Sequence, residues 1–284
     1  MSYTAPEGEI LPPSQAANPV QDFAPAQTRA RRREFSEWNP RVAPATYLLV
    51  AINCAVYLWM VAHGVSAKEP SESALLHYGA NSPWLVLHGQ WFRLVTATFV
   101  HVGLLHIATN MWCLWNLGML GEPLLGPFGT IAIYLLTGAA GNLLSMAFSV
   151  VATLLTRDPR MLLQVGAGAS GAVFGIAGIL IVLLSNKRLP FPWRDLQALR
   201  RRVIQFAAIN LVIGIGANFL PVGISIDNFA HIGGFLSGLA LGLPLVPRMT
   251  AGRDRYLRRQ KITFAAACFG LSLFGYLIVH LIHI

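Results

Sequence analysis

Residues 168–186 read GASGAVFGIAGILIVLLSN, with no charged side chain anywhere in the run. Wound as a helix rising 1.5 Å per residue, the stretch nearly spans the ~30 Å hydrocarbon core of a bilayer. Six more apolar runs lie at about 45–63, 104–121, 128–154, 203–220, 228–247 and 262–282. Lipid offers no hydrogen-bond partners, so a chain that crosses it must satisfy its own backbone, which a helix does. The expected fold is all-α: a polytopic membrane helix bundle of about seven transmembrane helices.

Composition agrees. Of 284 residues 55% are hydrophobic and only 12% charged, where a soluble domain carries roughly 25%, and the mean hydropathy is +0.55. The three cysteines, Cys54, Cys113 and Cys268, each sit inside an apolar run with no CxxC or Cys/His metal spacing. They read as small buried hydrophobes, with no disulfide and no metal expected.

Residues 1–43 are rich in Pro, Ala, Gln and Glu around a basic cluster of Arg29, Arg31, Arg32 and Arg33, and are expected to be a disordered cytoplasmic tail. No apolar core follows the first charges, and Glu7, Glu9 and Asp22 are present, so neither a secretory signal nor a transit peptide is expected. Residues 64–103 hold Trp84, Trp91, Arg93 and several histidines among short apolar stretches, and read as a loop in the membrane interface within a core over 44–247. A basic cytoplasmic linker over 248–261 and an additional transmembrane helix within 262–284 complete the expected organisation.

Charge gives the helices a direction. With the N-terminus cytoplasmic, the inside segments 1–44, 122–127, 187–202 and 248–261 hold 5, 0, 6 and 6 Lys plus Arg, 17 of the 21. Outside remain Lys68, Arg93, Arg157 and Arg160. Positive charge concentrates on cytoplasmic loops, so the N-terminus is expected inside and the C-terminus outside. The same asymmetry accounts for the net charge of +9 without nucleic acid, and implies some attraction to anionic lipid.

Gly234, Gly238 and Gly242 recur every four residues, as do Gly171 and Gly175. Small residues at this spacing let helix backbones meet in lipid, so the fourth helix is expected against the sixth. Polar groups intrude at His106 and Asn110 on the second helix, Ser170 on the fourth and His231 on the sixth, with Asp227 and Asn228 just before it. Such groups are costly at this depth and mark function by default. The second, fourth and sixth helices all run from outside to inside. That puts His106, Ser170 and His231 within the first few residues of their helices, at nearly one depth close to the outer face.

Ser170 lies between Gly168 and Gly171 at a helix N-terminus, where free N–H groups favour a developing oxyanion. His231 is a base of the right strength for a serine hydroxyl. His106 and Asn110, four apart and so on one helix face, can both donate hydrogen bonds. Asp227 is expected to serve the loop or cap the helix, which leaves a two-residue Ser–His arrangement. The HExxH zinc motif and a pair of intramembrane aspartates are both absent, which argues against membrane metalloproteases and aspartyl proteases.

Taken together these residues resemble the rhomboid family of intramembrane serine proteases. His101 to Asn110, HVGLLHIATN, resembles the family's H-x4-H-x3-N, Gly168-Ala169-Ser170-Gly171 its GxSG, and Ala230-His231-Ile232-Gly233-Gly234 its histidine motif. The resemblance covers about 45–247. It implies Ser170 as nucleophile, His231 as general base, and Asn110, His106 and the Ser170 N–H as the oxyanion hole. Gln90-Trp91-Phe92-Arg93 is similar to a structural element of the family's first loop, with Phe92 replacing the usual Trp. Phe174 stands where the family often has Tyr, a ring that stacks on the catalytic histidine. The seventh helix suits the "six plus one" form.

The resemblance further implies no cofactor, single-pass membrane proteins as substrates cut near the outer end of their span, a lateral gate beside the fifth helix with the 221–227 loop as a cap, and a multi-pass location in the bacterial inner membrane. A rhomboid-like pseudoprotease that binds clients without cleaving them is the alternative, but such proteins lose the serine or the histidine and this chain keeps both. A transporter would show inverted repeats or paired broken helices, and no such symmetry is visible.

Overall fold

The computed structural model describes residues 42–187, 189, 191–217, 226–246 and 252–282. Nearly all of the expected N-terminal tail (1–41) and most of the 221–227 loop (221–225) lie outside the described residues. The elements in chain order are α1 (Pro44–Ala62), three short helices α2 (Glu72–His77), α3 (Pro83–Leu87) and α4 (Arg93–Thr96), and the long α5 (Leu104–Thr156). A 3-10 turn (Pro159–Leu163) leads to α6 (Ser170–Leu183), α7 (Trp193–Ala217), α8 (Asn228–Leu245) and α9 (Arg253–Ile282). Among the described residues the sole β pairing is one bridge between Asn81 and Gly166. The fold is the all-α polytopic bundle.

The expected second and third spans form a single 53-residue run, α5, broken at Gly126, where φ is 74° and ψ 165°. That conformation is open to glycine, and Pro127 next to it has no N–H to continue the ladder. The break frees carbonyls, and α9 answers them: Tyr256 donates to the carbonyl of Leu124 at 3.3 Å and Gln260 to that of Leu125 at 2.7 Å.

Just before the break, Glu122 is buried and accepts from the N–H of Ala45 (2.9 Å), the N–H of Thr46 (2.7 Å) and the Thr46 hydroxyl (2.7 Å). It thereby caps α1, which has no side-chain cap of its own. A carboxylate suits that place because the first turn of a helix presents unpaired N–H groups and a partial positive charge. In sequence Glu122 falls in the expected cytoplasmic connection 122–127; its donors lie more than seventy residues away, where no local pattern points.

By length and hydropathy α1, α5, α8 and α9 could each cross a bilayer. The expected fourth span is shorter than its apolar run: α6 has 14 residues and begins at Ser170 itself, giving about 21 Å against a core of ~30 Å. Its Ile176, Ile179, Leu180 and Leu183 are all sealed in the middle of the bundle, which is why the helix is apolar on every face. The expected fifth span starts earlier than its apolar run, at Trp193, because the charged residues Arg194, Asp195 and Arg200 to Arg202 form its first turns. Likewise α9 begins inside the expected basic linker, at Arg253.

The segment 64–103 is folded rather than an open loop. Arg93 is buried and donates to Gln90 Oε1 (2.7 Å) and to the carbonyls of Leu76 (2.7 Å) and Ala80 (2.8 Å). One guanidinium thus gathers α2, the turn after it and the start of α4, using the planar fork that lysine lacks. Tyr134 of α5, fully buried, ties the segment's far end to the bundle: its hydroxyl donates to the carbonyl of Thr98 (2.9 Å) and accepts from the Asn53 amide of α1 (2.9 Å).

The glycine contact expected between the fourth and sixth helices is present as α6 on α8. A Cβ on Gly234 would meet the carbonyl oxygen of Gly171 and lie 3.1 Å from its Cα; one on Gly238 would meet the carbonyl oxygen of Gly175 and lie 2.9 Å from its Cα. Two backbones in direct contact along two helical turns set the separation of everything these helices carry.

Candidate active site

Ser170 is the first residue of α6. Its N-cap, Ala169, supplies no side-chain hydrogen bond, so the first-turn N–H groups keep their capacity to bind an anion. The approach to Ser170 depends on Gly168, at φ +131°. A Cβ there would sit 2.6 Å from Cε1 and 2.9 Å from Nε2 of His106, and 3.7 Å from Nδ2 of Asn110. Glycine is therefore required twice over, for the backbone angle and for the ring lying against it. Both side chains come from α5, and Asn110 donates back to the carbonyl of His106 at 3.0 Å. His106, Asn110 and the N-terminus of α6 thus form one polar wall.

His231 lies in the first turn of α8 and is 7% exposed. Its ring stacks on Phe174 with centroids 4.5 Å apart and planes 14° from parallel. Its Nδ1 is buried without a hydrogen-bond partner. Gly171 lets the two helices close beside it: a Cβ there would stand 3.3 Å from the carbonyl oxygen of Ala230. Among the described residues no hydrogen bond joins Ser170 to His231. What brings their helices together is contact between the neighbouring residues, Gly171 and Ala230. Asp227 caps α8 as expected, accepting from the N–H of Ala230 at 2.9 Å.

His101, at the end of the segment expected to lie in the interface, is 0% exposed. Its Nε2 accepts from the N–H of Ala169 at 3.4 Å, its Nδ1 lies 3.2 Å from the carbonyl of Phe99, and its ring is 5.4 Å from that of His106. It supports the residue before Ser170. The only sequence signal was its place as the first His of the H-x4-H pattern. Ser145, whose hydroxyl meets Asp227 at 2.5 Å, carried no signal at all. Among the described residues no group of three or more His, Cys, Asp or Glu is placed to hold a metal ion.

Apolar helices enclosing a serine at a helix N-terminus, a ring-stacked histidine and amide and imidazole donors define a polytopic membrane protein with a polar site inside its bundle. Comparison with known proteins narrows the class. A rhomboid domain matches residues 88–248. The rhomboid protease GluP of Bacillus subtilis (strain 168) is 31% identical over 223 residues, 77% of this chain and 39% of that protein. The rhomboid protease AarA of Providencia stuartii is 30% identical over 215 residues, 71% of this chain and 72% of its own. The rhomboid-like protease 2 of Toxoplasma gondii is 28% identical over 249 residues, 84% and 79% respectively. The chain belongs to the rhomboid family.

Proposed function

We propose that the chain is an intramembrane serine endopeptidase that cuts single-span membrane proteins near the outer end of their span, with Ser170 as nucleophile and His231 as general base. The observation that carries the reading is the direct backbone contact of α6 with α8, which holds an uncapped serine at one helix start beside a ring-stacked histidine at the other. Relatives named as proteases support it.

In this scheme the His231 ring takes the Ser170 proton as Oγ attacks the scissile carbonyl. The resulting oxyanion is met by the Ser170 N–H, the Asn110 amide and the His106 ring, donors held in place before the charge develops. The protonated ring returns its proton to the departing amine, and water then releases the acyl group by the same steps in reverse. The free Nδ1 of His231 supports a dyad: among the described residues no carboxylate bonds to the ring, so Phe174 and the helix backbone must orient it.

Because α6 is short, a bundle with the cytoplasmic end of α6 at the inner boundary leaves Ser170 roughly 9 Å below the outer one. The substrate helix must unwind there, since its peptide carbonyl has to leave its own hydrogen bond to be attacked. The way in lies beside α7, whose Ile204, Ile209, Val212 and Ile213 face outward. The N-terminus is cytoplasmic and the protein resides in a bacterial inner membrane.

The test is cleavage of a fluorescent single-span substrate by the purified protein in liposomes. Wild type is expected to cut it once near the outer end, without added metal and unaffected by chelator, while Ser170→Ala and His231→Ala do not. A wild-type protein that binds the substrate and never cuts it would instead be a pseudoprotease.

A further inference from the structure

We propose that Asp227 and Ser145 form a tether that positions His231 against Ser170, so that a carboxylate acts on the proposed dyad through the backbone rather than through the imidazole. The inference rests on the Ser170–His231 reading.

The problem the tether solves is visible in the ring itself. Its Nδ1 has no partner, so the ring is placed by its stacking on Phe174 and by the backbone it hangs from. The ring therefore goes where the first turn of α8 goes, and the first turn is held at Asp227. One carboxylate oxygen, Oδ1, takes the N–H of Ala230 at 2.9 Å. The other, Oδ2, takes the hydroxyl of Ser145 on α5 at 2.5 Å. The same Oδ2 lies 3.5 Å from where a Cβ of Gly166 would stand. Gly166 is pinned to Asn81 by two backbone hydrogen bonds, of 2.8 and 2.9 Å, and leads directly into Gly168-Ala169-Ser170. One part-buried side chain thus bonds to the wall helix α5 and to the start of the histidine helix, and lies beside the segment that delivers the serine.

A second contact repeats the link. Phe148, three residues after Ser145 and so on the same face of α5, stacks on Phe229 with centroids 3.6 Å apart and planes at 16°. The polar pair fixes the height and direction of the helix start, and the ring pair fills the space beside it. Even part-buried, a carboxylate that does neither catalysis nor ion pairing is costly unless it is hydrogen-bonded. Its two bonds at the entrance to α8 give it a reason to be there. Asp227 touches neither reacting atom, so it is a positioning residue.

The full-length protein in liposomes tests this through kcat and KM on a single-span substrate, the rate at which a fluorophosphonate labels Ser170, and thermal unfolding to give the folded fraction. Asp227→Ala is expected to lower kcat by about tenfold or more per folded molecule, since small misplacements of reacting groups carry losses of that order. KM should stay within about twofold, and fluorophosphonate labelling should slow by the same factor as kcat, because both need the ring in place. Asp227→Asn should recover most of the loss, as its amide oxygen still accepts from Ala230. Ser145→Ala should act in the same direction more weakly, and the double variant with Asp227→Ala should be no worse than Asp227→Ala alone, as for two ends of one link.

The proposal is overturned by an Asp227→Ala protein with wild-type kcat per folded molecule, by Asp227→Asn being as slow as Asp227→Ala, or by effects of the two sites that multiply independently. Ser170→Ala and His231→Ala run alongside separate the two levels. If these remain active the dyad reading itself fails. If they are inactive while Asp227→Ala is unimpaired, only the tether fails.

Discussion

The Phe174 ring lies flat on the His231 ring, 4.5 Å between centroids and 14° between planes. Phe174 is four residues after Ser170, one turn down the same helix, so the helix that presents the serine also supplies the surface on which the histidine rests. A family position often filled by tyrosine needs only the ring for this purpose.

Phe174→Leu should therefore lower kcat by about two- to tenfold, the range expected for loss of one aromatic pair, with KM little changed. Phe174→Tyr should match wild type within about twofold, since the ring is kept. Steady-state kinetics on the single-span substrate reads both, and a Tyr variant as slow as the Leu variant would show that something other than stacking matters at this position.

The contact of α6 with α8 leaves no room for one methyl group. Gly238→Ala should push the helices apart at Gly175, destabilising the protein by about 1–3 kcal/mol as overpacked cores are. The thermal unfolding midpoint in detergent should fall, and activity with it. Gly270, around which nothing lies within 4 Å, is the control: Gly270→Ala should leave the midpoint unchanged or raise it.

Glu122 holds three donors at the start of α1. Glu122→Ala leaves the N–H groups of Ala45 and Thr46 and the Thr46 hydroxyl without their acceptor, and should cost a few kcal/mol at about 1–3 kcal/mol for each buried donor left unpaired. The site lies at the far end of the helical stretch that begins with His106 and Asn110, roughly 18–24 Å along its axis from them. Unfolding should shift strongly while kcat per folded molecule stays near wild type; equal stability would contradict the capping role.

Orientation gives an independent check. In a background free of Cys54, Cys113 and Cys268, Thr156→Cys, exposed at the end of α5, should react with a membrane-impermeant maleimide added to intact cells. Arg255→Cys, exposed at the start of α9, should react only after the cells are opened. The reverse pattern would invert the topology.

What could be read from sequence was whatever repeats at short range. Charge-free runs located the bundle, four-residue glycine spacing foretold α6 on α8, and the H-x4-H-x3-N and GxSG spacings singled out residues that the fold gathers on one wall, His106 and Asn110 against Gly168. What could not be read depends on partners far along the chain. Glu122 looks like a loop acid until α1 is laid beside it. Arg93 looks like a stray interfacial charge until the carbonyls of Leu76 and Ala80 close on it. His101 begins the H-x4-H pattern, but its role is invisible until Ala169 approaches. The shortness of α6 was hidden for another reason: Gly168 and Ala169 are as apolar as the helix that follows, so hydropathy alone ran the span past its true start at Ser170.

The central claim is that Ser170 is a nucleophile made reactive by His231, and labelling reads it most directly. The purified protein is treated with a fluorophosphonate, digested, and the modified residue located by mass spectrometry. The account predicts a single adduct on Ser170 in wild type and almost none in His231→Ala at matched folded protein. An adduct elsewhere, or equal labelling of Ser170 without His231, would contradict it.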